Sequence, residues 1–134
     1  MNNPFQTFVL FILLINVSCA QEDTFTNCDN ICEKATSIEE INNIPAKIVQ
    51  LQNTKYNLDY MFLDINPEFL DKEGYSTSNE TVLIPCELDK SYTDGMKVII
   101  SGRKTDCCNI ISLPSIRKSW GCKFEITSIE HQPD

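Results

Sequence analysis

Seven cysteines lie downstream of a short apolar run near the start of the chain, and these two features constrain the fold more than any others. The run, FVLFILLINV, covers the ten residues from Phe8 to Val17. Crossing a bilayer takes about 20 apolar residues, so this run has the length of a signal-peptide core rather than of a membrane span. Ser18-Cys19-Ala20 then places small residues at the −3 and −1 positions of a cut before Gln21, and polar Gln21-Glu22-Asp23 follows. Residues 1–20 therefore read as a signal peptide, although Met1 to Thr7 supplies no Lys or Arg. Export is the expectation.

Cys19 is a candidate lipidation site. Val17-Ser18-Cys19 resembles the end of a bacterial lipobox, with Asn16 standing where that pattern has an aliphatic residue. The polar, acidic residues after it resemble the surface-export signal of lipoproteins from Bacteroidota. Cleavage after Ala20 and acylation at Cys19 both remain open. Contact with a membrane is expected only through such an anchor, and the destination is secretion or an outer-membrane or cell-surface lipoprotein.

Either route leaves Cys28, Cys32, Cys86, Cys107, Cys108 and Cys122. An even number in a small exported chain reads as a disulfide framework. Six cysteines allow 15 pairings, and the sequence does not choose among them. Each bond contributes about 2–4 kcal/mol, against a total stability of about 5–15 kcal/mol. A bond between Cys107 and Cys108 would close a strained ring, so these two are expected to reach different partners. Zinc is not expected. Cys28-x3-Cys32 and Cys107-Cys108 depart from paired CxxC spacing, and the single histidine, His131, lies in the terminal tail. No metal or cofactor is expected.

The 134 residues suit one domain with a short N-terminal extension. In residues 21–43, Ile31, Ala35, Ile38 and Ile41 recur at helical spacing, which predicts a helix within Thr24–Asn43 capped by Thr26 or Asn27. A loose leader with a local Cys28–Cys32 loop is the alternative. In residues 44–134 the pattern becomes β-like. Strands are expected at Ala46–Leu51, Tyr56–Ile65, Thr81–Ile84, Lys97–Gly102, Lys123–Ile129 and, more weakly, Asn109–Leu113. The fold class is mainly β: a small barrel or sandwich of five to six short strands with a short N-terminal helix, held by disulfides.

Leu83-Ile84-Pro85-Cys86-Glu87-Leu88, then Asp94-Gly95-Met96-Lys97-Val98-Ile99-Ile100-Ser101-Gly102, resembles a module of exported proteins and lipoproteins of Bacteroidota. There, a strand ending in Pro-Cys leads into Gly-x-Lys-Val-x-x-Ser-Gly. Gly121 to Glu130 resembles the closing strand of that module. The resemblance spans roughly residues 44–130. It implies a small, open, OB-like barrel of mostly unassigned activity. Cys107-Cys108 and Cys28-x3-Cys32 have no counterpart in it, so it implies no disulfide pairing.

No catalytic residues are identified. His131 reads as a surface residue. The carboxylate pairs Glu39-Glu40, Asp71/Glu73 and Glu87/Asp89 look like solvated positions rather than two carboxyls in contrasting environments. Four scattered glycines form no phosphate loop. Nineteen acidic against eleven basic residues give a net charge of −8, which argues against nucleic acid as a partner. The one basic-aromatic grouping, Arg103, Lys104, Arg117, Lys118 and Trp120, is the candidate binding face, suited to an acidic glycan or protein at a cell surface. Asn79-Glu80-Thr81 is a glycosylation sequon, meaningful only in a eukaryotic host.

The expected function is that of a non-enzymatic binding or structural accessory, exported or surface-anchored. The alternative is a secreted inhibitor or effector acting on a protease or another protein, with a rigid loop such as Asn109 to Trp120, tethered at Cys108 and Cys122, as its working part.

Overall fold

The computed structural model describes residues 24–26 and 32–133. The signal peptide, Cys19, Cys28 and Ile31 lie outside the described residues. Nine strands are found among the described residues: β1 (Thr24–Thr26), β2 (Ser37–Asn53), β3 (Leu58–Asp64), β4 (Val82–Pro85), β5 (Glu87–Asp89), β6 (Lys97–Thr105), β7 (Ile111–Leu113), β8 (Lys118–Trp120) and β9 (Cys122–His131). The architecture is mainly β.

Five strands close a barrel in the order β2-β3-β4-β9-β6. β4 and β9 run parallel, and the other barrel neighbours are antiparallel. Two ribbons complete the fold, β1 with β5 and β7 with β8. β2 and β3 meet at a tight turn whose residue types suit it. The Asn53 side chain accepts from the Lys55 amide at 3.1 Å, and Asn57 adopts the left-handed conformation at φ 52°.

Alternation along the strands builds two apolar layers instead of one. Ala46, Ile48, Met61, Leu63, Leu83, Val98, Ile100 and Phe124 fill the barrel interior. The intervening residues Val49, Phe62, Val82 and Ile84 pack with Ile111, Leu113 and Trp120, so the β7–β8 hairpin covers this second layer. Val82-Leu83-Ile84 is an unbroken apolar run because both faces of β4 are buried. Burying each such side chain contributes about 1.5–3 kcal/mol.

Two glycines permit the close approaches. A Cβ at Gly102 would lie 2.2 Å from the Glu125 carbonyl oxygen, where β6 crosses β9 at a bulge. One at Gly121, φ +91°, would lie 2.5 Å from Ile84 Cδ1, where the hairpin foot sits on β4.

Asp64, at the end of β3, is fully buried yet well partnered. It accepts from the Ser76 amide at 2.7 Å, the Ser76 hydroxyl at 2.6 Å and the Asn66 amide at 3.0 Å. The Thr81 hydroxyl donates in turn to Ser76 at 2.8 Å. This network fastens the long β3–β4 connection to the barrel wall.

The N-terminal helix expected within residues 24–43 is not found in the described residues. Thr24–Thr26 is a strand paired with β5, and β2 already begins at Ser37, so β2 crosses the boundary drawn between residues 43 and 44. The apolar spacing misleads because β2 changes register between Ser37 and Glu39 and again between Ile41 and Ile44. Ile41 is consequently buried while Ile38 is 58% exposed, an outcome foreign to a single helix face. Cys32 does not close a local loop with Cys28; it is bonded to Cys107. The barrel is closed, not open, because β2 is long enough to pair with both β3 and β6.

Candidate binding surface

The adjacent cysteines diverge. Cys107 is bonded to Cys32 and Cys108 to Cys122, while Cys86 is disulfide-bonded as well. The Cys108–Cys122 bond spans the foot of the hairpin that carries Ile111, Leu113 and Trp120. Beside it the Lys123 amide donates to the Cys107 carbonyl at 2.8 Å, and the Ile110 amide to the Gly121 carbonyl at 3.3 Å. Further out, Lys118 Nζ donates to the Thr77 hydroxyl at 2.7 Å, pinning β8 to the β3–β4 connection. The hairpin is therefore fixed at its base, on its flank and beneath.

Its tip projects. Leu113 and Lys118 are paired, and Pro114 to Arg117 form the turn between them. The Ile116 amide donates to Leu113 and the Arg117 amide to Pro114, and Arg117 adopts φ 49°. Ile116 stands 54% exposed at this turn, one of two large apolar residues so exposed among the described residues. From Asn109 to Gly121 the only charges are Arg117 and Lys118, so the hairpin is basic on a chain of net charge −8.

The five residues of the expected basic-aromatic face do not form one face. Arg103 and Lys104 are consecutive on β6 and so point to opposite sides. Arg103 is exposed, with Glu40 and Glu125 as its in-register neighbours, whereas Lys104 is 8% exposed beside Phe124. Trp120 is 1% exposed beneath the hairpin and offers no ring for stacking. Only Arg117 and Lys118 remain together at the surface, and of these Lys118 is engaged with Thr77. Ile116, which the charge pattern did not single out, completes the tip; an apolar residue within Pro-Ser-Ile-Arg, a turn sequence, was the available signal.

Asn79 of the sequon is tied into the fold. Its side-chain amide donates to Asn109 Oδ1 at 3.0 Å, and the Asn109 backbone amide donates back to Asn79 Oδ1 at 3.4 Å. The hydroxyl of Thr81, the third sequon residue, is engaged with Ser76. His131 is exposed at the end of β9. Among the described residues no group of three or more His, Cys, Asp or Glu side chains is arranged to hold a metal ion, and no helix is long and apolar enough to cross a membrane.

One carboxyl is perturbed for a local reason. Hydrogen bonds from Ser91, chiefly that of its backbone amide at 2.8 Å, hold Asp89 below the usual carboxylate range.

No protein-family model matches this sequence, and no curated protein is similar to it.

Proposed function

We propose that this chain is an exported, disulfide-bonded barrel that works by binding a macromolecule at a cell surface through the tip of its β7–β8 hairpin, with no chemistry of its own. The observation that carries the reading is Ile116: a large apolar side chain held in solvent, next to Arg117, on a hairpin clamped by Cys108–Cys122. Preorganisation of this kind lowers the ordering cost of association. An apolar knob beside a guanidinium suits a partner with an apolar dimple and acidic surroundings, a protein or an acidic glycan.

The strand order β2-β3-β4-β9-β6 with β4 and β9 parallel supports an OB-like reading, in line with the resemblance to the Bacteroidota module. In OB barrels the connection between the fourth and fifth strands is one of the binding loops. The segment between β6 and β9, which contains the hairpin, holds that place here. The bonds Cys32–Cys107 and Cys108–Cys122, with Cys86 bonded as well, fit a compartment where thiols oxidise, which supports export. A lipid anchor at Cys19 would place the module on the surface.

The alternative, an inhibitor of a protease, has the clamped hairpin in its favour. The tip does not suit substrate-like insertion, however, since Pro114 to Arg117 are in turns and Arg117 is left-handed. An inhibitor built this way would act by docking beside a cleft rather than by filling it.

The test is differential capture. The oxidised mature chain and its Ile116→Asp/Arg117→Ala variant are immobilised and exposed to native-host envelope proteins and to a glycan array. A partner retained by the first and lost from the second supports the reading. Equal retention, with both chains folded, overturns it.

A further inference from the structure

A second concave site lies away from the hairpin tip. Lys47, Val49 and Gln50 of β2, the connection through Leu70 to Tyr75, and the turn at Asp94-Gly95 enclose a cleft of about 630 Å³. That volume falls within the range of small-ligand sites, about 300–1,000 Å³.

Its walls are fixed from inside. Lys47 is 7% exposed, and its ammonium donates to the backbone carbonyls of Lys72 at 2.9 Å and Gly74 at 2.5 Å. The same ammonium lies 5.9 Å from the centre of the Phe69 ring. One buried lysine thus holds the 72–74 wall against β2. The opposite wall is tied by the Gly95 amide to the Ile48 carbonyl at 2.7 Å and by the Gln50 amide to Asp94 Oδ1 at 2.8 Å. Lys97 pairs with Asp71 and bridges the two walls. The cleft is preorganised, so a ligand would meet little ordering cost.

Its chemistry is balanced. The lining carries three lysines, Lys47, Lys72 and Lys97, and three carboxylates, Asp71, Glu73 and Asp94. The buried ammonium is committed to carbonyls and Lys97 to Asp71, so neither an anion nor a cation meets an uncompensated field. The remaining surface sets the exposed Lys72 and Glu73 beside Leu70 and the half-buried Tyr75, while the Gln50 side-chain amide is turned to Asp59 Oδ1 at 3.4 Å. Tyr75 is oriented by an edge-to-face contact with Phe62, at 5.7 Å between centroids. Sugars offer the matching surface, because C–H faces pack on an aromatic ring while hydroxyls exchange hydrogen bonds with carboxylates and an ammonium.

We infer that this cleft binds a neutral saccharide. The site is separate from the hairpin tip, so the two readings succeed or fail independently.

The experiment is a backbone-amide NMR titration of the oxidised mature chain. One arm uses neutral hexose and N-acetylhexosamine oligosaccharides; the other uses uronic-acid oligosaccharides of equal length. The neutral arm should shift the amides of Gln50, Tyr75 and Gly95 with a Kd on the order of 1 mM. The uronate arm should not. Tyr75→Ala and Glu73→Ala should each weaken binding about tenfold, a loss of about 1.4 kcal/mol. Glu73 is the safer variant because its side chain is exposed. The inference is overturned if no neutral sugar shifts these amides at concentrations on the order of 10 mM. It is equally overturned if uronates shift them as much, if the folded Glu73→Ala variant binds as the parent does, or if shifts map to residues 111–120. That last result would favour the hairpin and reject the cleft.

Discussion

Cys108 is bonded to Cys122 across the foot of the β7–β8 hairpin, 14 residues apart in sequence. The bond joins the connection that leaves β6 to the first residue of β9, so the cover over Val49, Phe62, Val82 and Ile84 moves as one piece. Closing a loop of this length stabilises by about 3 kcal/mol through the unfolded chain. Cys108→Ser/Cys122→Ser should lower the unfolding free energy by about that amount in a urea titration. Amide exchange should rise most between residues 109 and 121, with the barrel strands less affected.

Trp120 is the largest side chain buried under that cover, and its indole N–H has no hydrogen-bond partner among the described residues. Trp120→Ala should therefore cost about 3–5 kcal/mol, mostly from the cavity left behind. Trp120→Phe should cost less than half as much, because it removes an unpaired donor as well as some volume. Chemical denaturation of the two variants checks the ratio. A phenylalanine variant as unstable as the alanine variant would mean that the indole N–H is paired.

Asp64 serves three donors at once, so Asp64→Ala strands the Ser76 amide, takes a partner from the partly buried Asn66 amide and leaves the Ser76 hydroxyl with Thr81 alone. Each unsatisfied buried group costs about 1–3 kcal/mol. The variant should lose about 3 kcal/mol, and Ser76→Ala should lose less, since the carboxylate keeps its two backbone donors. Thermal or urea unfolding measures both. A nearly neutral Asp64→Ala would show that the connection is held elsewhere, by Lys47 for example.

Asp89 gives a pH signature of defined sign. Its folded-state value lies below the usual carboxylate range, so the stabilisation it provides is complete above that range and fades as pH falls through the lower folded-state midpoint. A carbon-detected titration of the Asp89 carboxyl should give a midpoint below that of an ordinary aspartate, and Ser91→Pro, which deletes the donating amide, should move it upward. The group is fully exposed, and the effect is confined to the β5–β6 connection.

The barrel strands were legible because each carries a period-2 or unbroken apolar run: Ala46 to Leu51, Val82 to Ile84 and Lys97 to Gly102 all fall inside strands. The start of β2 was not legible, because its two register shifts disguise Ile38 and Ile41 as a helical pair. The three-residue strands β5 and β8 are too short to show a period. Separate partners for Cys107 and Cys108 could be argued from ring strain, yet Cys32 and Cys122 as those partners required the fold. The basic face failed for a simple reason: on a strand, neighbours such as Arg103 and Lys104 point apart. Trp120 was ambiguous in the sequence, since only the packing of β7–β8 onto β4 buries it.

Peptide mapping of the unreduced protein from its native host tests the account most directly. It should find the chain starting at Gln21 or at an acylated Cys19, with Cys32 joined to Cys107 and Cys108 to Cys122. It should also find Cys86 in a disulfide bond. A chain that retains Met1 and carries free thiols at these positions would contradict it.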